Sequence, residues 1–456
     1  MGDLETEYRQ ALALRAAGRL QEALQAFDAL VRRYPAVPQP RQMRGLTLCN
    51  LDRFDEGMAD MRAAIAMAPR TAAFHCDLGL ILFVLDRGDE AHAELKRALM
   101  LAPGDPDALN NLSLVLRARG DFAGAEQAAL QAIAGRGDFP QARLNLATAL
   151  LPQGKFAEAW REYGARPNPL VNLRDPRQPA GVPHADRLPE PSAPLVLHGE
   201  QGLGDTVFFL RFAPALRSRG HRLAFWGDPR LQPLLVRTGL FEHFIGREAV
   251  PAEGLSVAWV GDLPGMLGAS DPAAFPPALP IPPEAPRTAL LRTYLGRLGP
   301  APYVGLTWRA GLDRKGRIGL AKGVPAEGLA RALSGVRATF ISLQRGPAAG
   351  EVDGFAAALG APVHDGAALN DRLEDALAAM ELMDEYVGVS NTNTHLRASA
   401  GRAARVLVPW PPEWRWMHGP ERSPWFPAMP LYRQSAEGDW APALARLRDD
   451  LAALGR

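Results

Sequence analysis

A small residue recurs every 34 positions along the first third of the chain, at Ala23, Gly57, Ala91, Ala125 and Ala159. Other features keep the same spacing. Pro35, Pro69 and Pro103 are in register, with Gly137 in the fourth slot. So are Gly18, Asp52, Asp86, Gly120 and Gly154, residue types that tolerate a left-handed backbone. Leu20, Phe54, Phe122 and Phe156 follow just after them. The pattern predicts two short amphipathic helices per unit over residues 1–165. The turn residue closes the first helix, the proline ends the second, and the small residue lets the pair approach closely.

This period and pattern resemble the tetratricopeptide repeat. Ala11 and Ser113 stand where that family usually has glycine. The resemblance implies a right-handed superhelix whose concave face grips a peptide or protein, with a spacer or dimerisation module as the other use. Asn110, Asn111 and Asn145 fall on first helices, which line the concave face in this family, and Asn111 and Asn145 are one period apart. They can hydrogen-bond the backbone of an extended peptide or pack one helix on the next. Cys49 and Cys76 also fall on repeat helices and read as small core residues.

Residues 167–194 hold eight prolines, which break regular structure and mark a linker at 166–194. Beyond it the pattern changes to alternating strands and helices. Strands are expected at 195–198, 222–226, 243–245, 256–260, 303–308, 338–343, 362–364, 385–389 and 405–408. The intervening helices are expected near 206–217, 230–238, 288–298, 351–359 and 373–380. Such alternation argues for parallel, doubly wound sheets. A Pro-rich break at 272–286 divides them into two Rossmann-like halves, 195–286 and 287–435, with a C-terminal helix in 436–456. The expected fold class is therefore α + α/β. Ligands in such sheets sit at the carboxyl ends of the strands.

Composition narrows the function. With 51 basic and 50 acidic residues in 456, the chain carries no charge excess that would mark a nucleic-acid-binding face. The apolar run Leu80–Leu85 is far too short to span a membrane, and the start, Met-Gly-Asp-Leu-Glu, lacks the pattern of a signal peptide. Two cysteines build no disulfide framework. The expectation is a cytoplasmic protein that is not integral to a membrane. Only four of the basic residues are lysine, and two of these, Lys315 and Lys322, lie within eight residues of each other.

Four segments carry candidate chemistry. Gly199–Asp205 links a strand to a helix, where backbone amides favour anions, although a plain tight turn reads equally well. Asp205, at the helix start, can accept a proton from a hydroxyl nucleophile. Ser390–His395 is a run of hydroxyl and amide residues at a strand-to-helix junction, suited to a diphosphate or to simple N-capping. The loop from Thr307 to Lys322 carries Arg309, Arg314, Lys315, Arg317 and Lys322, able to neutralise phosphate or merely be solvated. Pro409–Pro427 holds Trp410, Trp414, Trp416 and Trp425, for packing between domains or for stacking on a sugar or base.

Taken in order, the segments resemble bacterial glycosyltransferases of the heptosyltransferase type, glycosyltransferase family nine. The motifs are Gly-Leu-Gly-Asp at 202–205, Val-Gly-Leu-Thr-Trp at 304–308 and Ile-Ser-Leu-Gln-Arg-Gly at 341–346. They continue with Gly-Val-Ser-Asn-Thr-Asn-Thr-His-Leu at 388–396, then Trp-Arg-Trp at 414–416 and Ser-Pro-Trp-Phe-Pro at 423–427. The resemblance implies a GT-B fold and inverting transfer from a nucleotide-diphospho-sugar co-substrate, with no cofactor. It implies Asp205 as base, Lys322 on phosphate, and Asn391, Thr392 and His395 around the diphosphate. Gly202, Gly204, Thr307, Arg309, Lys315, Gln344, Ser390, Asn393 and Thr394 complete the expected donor side. Asn111, Asn145 and Trp414 are the expected partner or acceptor contacts. No Asp-x-Asp occurs in 195–456, in keeping with metal-independent chemistry. The family's turn reads Asp-Thr-x-x-x-His, whereas Ser390 and Asn391 fill its first two slots here, which leaves the sugar open. With repeats attached, the expected acceptor is a protein, flagellin or another surface protein being one class. The alternative is a non-catalytic scaffold with a degenerate transferase domain. A dinucleotide-dependent oxidoreductase is disfavoured, because no G-x-G-x-x-G opens either half.

Overall fold

The structure is a computed structural model that describes residues 2–166, 184–191, 193–200, 202–249, 251–310, 323–452 and 454. Its described residues form two units, one ending at Ala149 and the other starting at Leu150. The first is a stack of helix pairs: α1 (Gly2–Ala16) with α2 (Leu20–Arg33), α3 (Pro38–Asn50) with α4 (Phe54–Met67), α5 (Ala72–Val84) with α6 (Gly88–Leu101), and α7 (Pro106–Ala118) with α8 (Phe122–Gly135). The next first helix, α9 (Pro140–Leu150), runs to the division.

The periodic residues do what their chemistry predicts. Gly18, Asp52, Asp86, Gly120 and Gly154 all take positive φ, from 58° at Asp86 to 79° at Gly120 and Gly154. Pro35, Pro69 and Pro103 lie just past the ends of α2, α4 and α6, where a residue that cannot continue a helix belongs. Ala23, Ala91 and Ala125 are wholly buried. At Gly57 the approach is closest: a Cβ there would press into Cys49 Sγ and lie 2.7 Å from the Gly45 carbonyl oxygen.

Successive first helices are also tied by a polar ladder with one step per repeat. Gln42 Nε2 donates to Asp77 Oδ2 at 2.5 Å, Asn111 Nδ2 to Cys76 Sγ at 3.3 Å, and Asn145 Nδ2 to Asn110 Oδ1 at 2.8 Å. Each partner is 35 positions away, one period plus one. Of the two roles open to the asparagines, helix-to-helix packing is the one these bonds fulfil. Asn145 is buried, and Asn111 is half-buried.

The division between the two units falls inside the repeat array expected over 1–165. The turn at Leu151–Gln153 and helix α10 (Phe156–Gly164), the second half of the fifth repeat, belong to the second unit. The cause is aromatic. Phe156 packs edge-on against Phe275 and Trp425, and Trp160 against Trp414 and Trp425. The Trp160 indole also donates to the Ala269 carbonyl at 2.9 Å. Such ring pairs contribute about 0.5–1.5 kcal/mol each beyond their buried area.

The second unit holds two parallel sheets. In the first, β1 (Pro194–His198) lies between β2 (Arg222–Gly227) and β4 (Ser256–Trp259), with β3 (Phe241–Gly246) outside β2. Helices α11 (Leu203–Phe209), α12 (Ala213–Ser218), α13 (Gln232–Val236) and α14 (Leu263–Met266) connect them. The second sheet follows α15 (Ala285–Leu298). Its strands β5 (Tyr303–Thr307), β6 (Thr339–Ser342), β7 (Val363–Asp365), β8 (Glu385–Val389), β9 (Arg405–Val408) and β10 (Leu431–Arg433) are ordered β10-β9-β8-β5-β6-β7. This is the doubly wound order, in which the chain reverses direction across the sheet between β5 and β8. Around it pack α16 (Ala326–Leu333), α17 (Glu351–Leu359), α18 (Leu373–Leu382), α19 (Thr392–Ser399) and α20 (Ala441–Leu451). The expected helix at 206–217 is broken by a 3-10 turn at Leu210–Phe212.

Gly57→Ala should destabilise the repeats by about 1–3 kcal/mol through overpacking. Gly88, with open space around its Cα, is the control, and Gly88→Ala should cost nothing. Denaturant unfolding followed by helical circular dichroism reads both; equal midpoints would contradict the packing account.

Candidate functional site

Two turns from different sheets meet in the second unit. One leaves the carboxyl end of β1 and enters α11; the other leaves β8 and enters α19. Gly204 is where they touch: a Cβ on it would lie 3.0 Å from His395 Cδ2 and 3.6 Å from the Thr392 Cα. The absence of a side chain at 204 therefore sets how closely the two halves approach.

A cavity of about 810 Å³ opens beside this contact. It lies at the carboxyl ends of β5, β6 and β8, against the reversal point of the second sheet. Gly202, Gly204, Asp205, Thr307, Arg309, Ser390, Asn391, Thr392, Asn393 and His395 all line it. Arg345 and Arg415, which fall inside the 341–346 and 414–416 motifs but are not among the expected site residues, line it as well, as do Asn370 and Asp371, which no motif covers. Leu343, Pro347, Leu373 and Ala376 supply an apolar wall.

The α19 turn is tightly organised. Asn391 caps the helix, its Oδ1 accepting from the Thr394 amide at 3.1 Å, with Thr394 Oγ1 completing a capping box. Its Nδ2 donates to Thr307 Oγ1 at 3.0 Å, and Tyr386 OH stands 2.7 Å from that same oxygen. Asn393 Nδ2 donates to Asn370 Oδ1 at 2.9 Å. Ser390 Oγ donates to Glu413 Oε2 at 2.8 Å, which ties the turn to the tryptophan-rich segment. Thr394 is fully buried and is not among the lining residues.

Gln344 is buried too, and acts on the backbone. Its Oε1 accepts from the Trp308 and Arg309 amides at 3.1 and 3.0 Å, holding the end of β5. Arg309 lines the cavity with its charge already matched. Glu351 takes its guanidinium at 2.7 Å and the Trp308 indole at 2.6 Å. Burial pushes Glu351 upward, but the hydrogen bonds from Arg309, Trp308 and the Ala348 amide outweigh it and hold the carboxyl down at about 2.

Asp205 sits in the first turn of α11, half exposed to the cavity, and is ion-paired to Arg415. Arg415 is itself buried. Burial opposes its charge, while Asp205 and Glu413 more than restore it, so its affinity for the proton is raised. Trp414 beside it is half-buried in a ring cluster with Trp160, Phe208 and Trp425 and is not among the cavity's lining residues, so packing is the role its contacts show. Lys315 and Lys322 lie outside the described residues.

A smaller cavity of about 260 Å³ adjoins at the carboxyl ends of β1, β2 and β4. His198, Trp259, Arg230, Arg247, Arg345 and Thr392 are among its walls. His198 is sandwiched by Trp226 at 3.7 Å and Trp259 at 4.0 Å, with the His184 ring nitrogen 3.0 Å away. Burial, then His184 and Arg247, push His198 down to about 3, so it stays neutral.

Residues 8–40 and 43–108 match one tetratricopeptide repeat model and 107–137 another, so these segments are tetratricopeptide repeats. The chain is similar to Protein FlbA of Caulobacter vibrioides, 26% identical over 319 residues, or 64% of this chain and 52% of FlbA. The match thus spans about half the length of that relative. Among solved structures, a crystal structure of MamA is 21% identical over 34% of this chain and 91% of its own, with a TM-score of 0.30. A thermophilic repeat protein of Thermus thermophilus is 24% identical over 35% and 88%, with a TM-score of 0.33. Among the described residues no helix is long and apolar enough to cross a membrane.

His198 gives the site a pH signature. The unfolded chain takes up a proton on this residue below its ordinary value near 6.5, while the folded protein does so only near 3. Stability from the neutral ring is full above pH 6.5 and is lost as pH falls toward 3, with a slope of up to about 1.4 kcal/mol per pH unit. His198→Gln should flatten the unfolding free energy measured between pH 6.5 and 4; parallel profiles would contradict the assignment.

Proposed function

We propose that the second unit is an inverting glycosyltransferase of the GT-B, heptosyltransferase-like kind, and that the repeats recruit its acceptor, a protein. The observation that carries this reading is the convergence of the Asp205 turn and the Ser390–His395 turn on one cavity at the ends of parallel strands. The nucleotide diphosphate of the donor sugar would lie against the first turn of α19 and the apolar wall. The acceptor would enter from the smaller cavity on the β1 side. Tetratricopeptide repeats generally bind other proteins, which gives the acceptor a place to dock.

The chemistry follows from that placement. An acceptor hydroxyl oxygen attacks the anomeric carbon and forms the new glycosidic bond. The bond from that carbon to the phosphate oxygen breaks, and its electron pair leaves with the nucleoside diphosphate. The hydroxyl proton passes to Asp205, whose exposed carboxylate edge faces the cavity. Arg415 holds the other edge and fixes the direction of the basic oxygen.

A second reading, a repeat scaffold whose transferase domain does no chemistry, draws on two observations. Asp205 is engaged by a buried arginine, and Ser390 stands where the family has a carboxylate.

Nucleotide sugars separate the two. A specific donor at 100 times its dissociation constant should add about 2.7 kcal/mol to stability, seen as a raised melting temperature. Asp205→Asn should keep that shift and lose transfer by about a hundredfold or more, as expected for removal of a general base. Transfer by Asp205→Asn at the wild-type rate would sink the assignment of the base. No shift with any nucleotide sugar would favour the scaffold.

A further inference from the structure

We infer that Arg345 is a leaving-group residue: a cation that holds the phosphate next to the sugar as the glycosyl bond breaks. This rests on the transferase reading above and adds a cation to the phosphate role that the resemblance gives to Lys322, which lies outside the described residues.

Phosphate neutralisation needs a cation not already spent on a carboxylate. Three described arginines line the large cavity. Arg309 is paired with Glu351 at 2.7 Å, and Arg415 with Asp205. Arg345 has no carboxylate within ion-pair distance among the described residues; its Nη2 donates instead to the Asn370 carbonyl oxygen at 2.9 Å. That bond orients the guanidinium without cancelling its charge, and leaves its other N–H groups for an anion.

Position adds a second argument. Arg345 lines both the large cavity and the small one. Transfer happens where donor and acceptor meet, so the scissile oxygen must lie at that shared wall. Thr392, on the α19 turn, also lines both. Asn370 joins Arg345 to Asn393, the neighbour of Thr392. Its side chain is buried, donates to the Leu343 and Ala367 carbonyls at 3.1 Å each, and accepts from Asn393 at 2.9 Å. Asn370 thus ties the β6 end that carries Arg345 to the first turn of α19. Arg345 forms no covalent bond; it stabilises charge that develops on the departing oxygen.

The test measures binding by calorimetry on the full chain, with uridine, cytidine, adenosine and guanosine, and with the diphosphate of each. Wild type should bind one diphosphate more tightly than its parent nucleoside. Arg345→Gln should weaken that diphosphate by about tenfold or more, the range of a lost hydrogen bond to a charged group, and leave the nucleoside unchanged. Arg345→Lys should recover part of the loss. Unchanged nucleoside affinity doubles as the check that the variant is folded. Diphosphate affinity that survives Arg345→Gln, or wild-type affinity that gains nothing from the phosphates, would overturn the assignment while leaving a nucleotide site in place. Wild type binding none of the eight probes would remove the donor reading itself, and this inference with it.

Discussion

Everything about the cleft depends on the contact made possible at Gly204. With only a hydrogen at that position, the turn after β1 closes on His395 and Thr392 at near van der Waals distance. Asp205, the next residue, is thereby delivered to the edge of a cavity built otherwise from the second sheet. A side chain at 204 would press on the His395 ring and push the two turns apart. The fastening around this contact is done by buried arginines. Arg211, on the 3-10 turn after α11, is almost wholly buried and donates to the Trp425 carbonyl at 2.9 Å, and its guanidinium lies 4.2 Å from the Phe208 ring centroid. Burial pushes it down to about 9, still charged at neutral pH.

Arginine is the suitable cation for these places. Its rigid planar fork meets acceptors in a fixed geometry and stacks flat on rings, whereas a lysine ammonium is a compact point charge on a flexible stem. Arg166 spans Glu200 at 2.9 Å and Asp262 in the same way, pinning the end of α10 to the first sheet's turns. Breaking one partner of such a buried pair leaves an uncompensated charge and is far costlier than breaking a surface pair. In the large cavity the balance differs: of its three described arginines, Arg309 and Arg415 are matched to carboxylates and Arg345 is not.

The repeats were legible because their residues act locally. A left-handed turn at Gly18 or Asp52 depends on that residue and its neighbours, so a period in the sequence becomes a period in φ. Strands β1, β5 and β8 were legible for the same reason, as apolar runs bounded by turns. What escaped was set by distant partners. β10 has three residues and exists through its pairing with β9. The membership of α10 in the second unit is decided by rings more than 100 positions away, such as Phe275 and Trp425. In the site, the turn residues were visible as motifs, but their divisions of labour were not. Gln344 looked like a ligand and serves the backbone of β5; Arg309 looked like a free cation and is bound to Glu351, 42 positions on. Arg345 lies inside the 341–346 motif next to Gln344, and nothing local marks a guanidinium that meets a carbonyl rather than a carboxylate.

The proposed activity would leave a sugar on a protein partner. Intact-mass spectrometry of surface and secreted proteins, from cells with and without the gene, addresses it without knowing the donor. At least one protein should be lighter in the deletion strain by a whole number of sugar residues, restored by the wild-type gene. Identical masses across all detected surface and secreted proteins, in a strain that nevertheless shows a phenotype, would contradict it and leave the repeats as a scaffold.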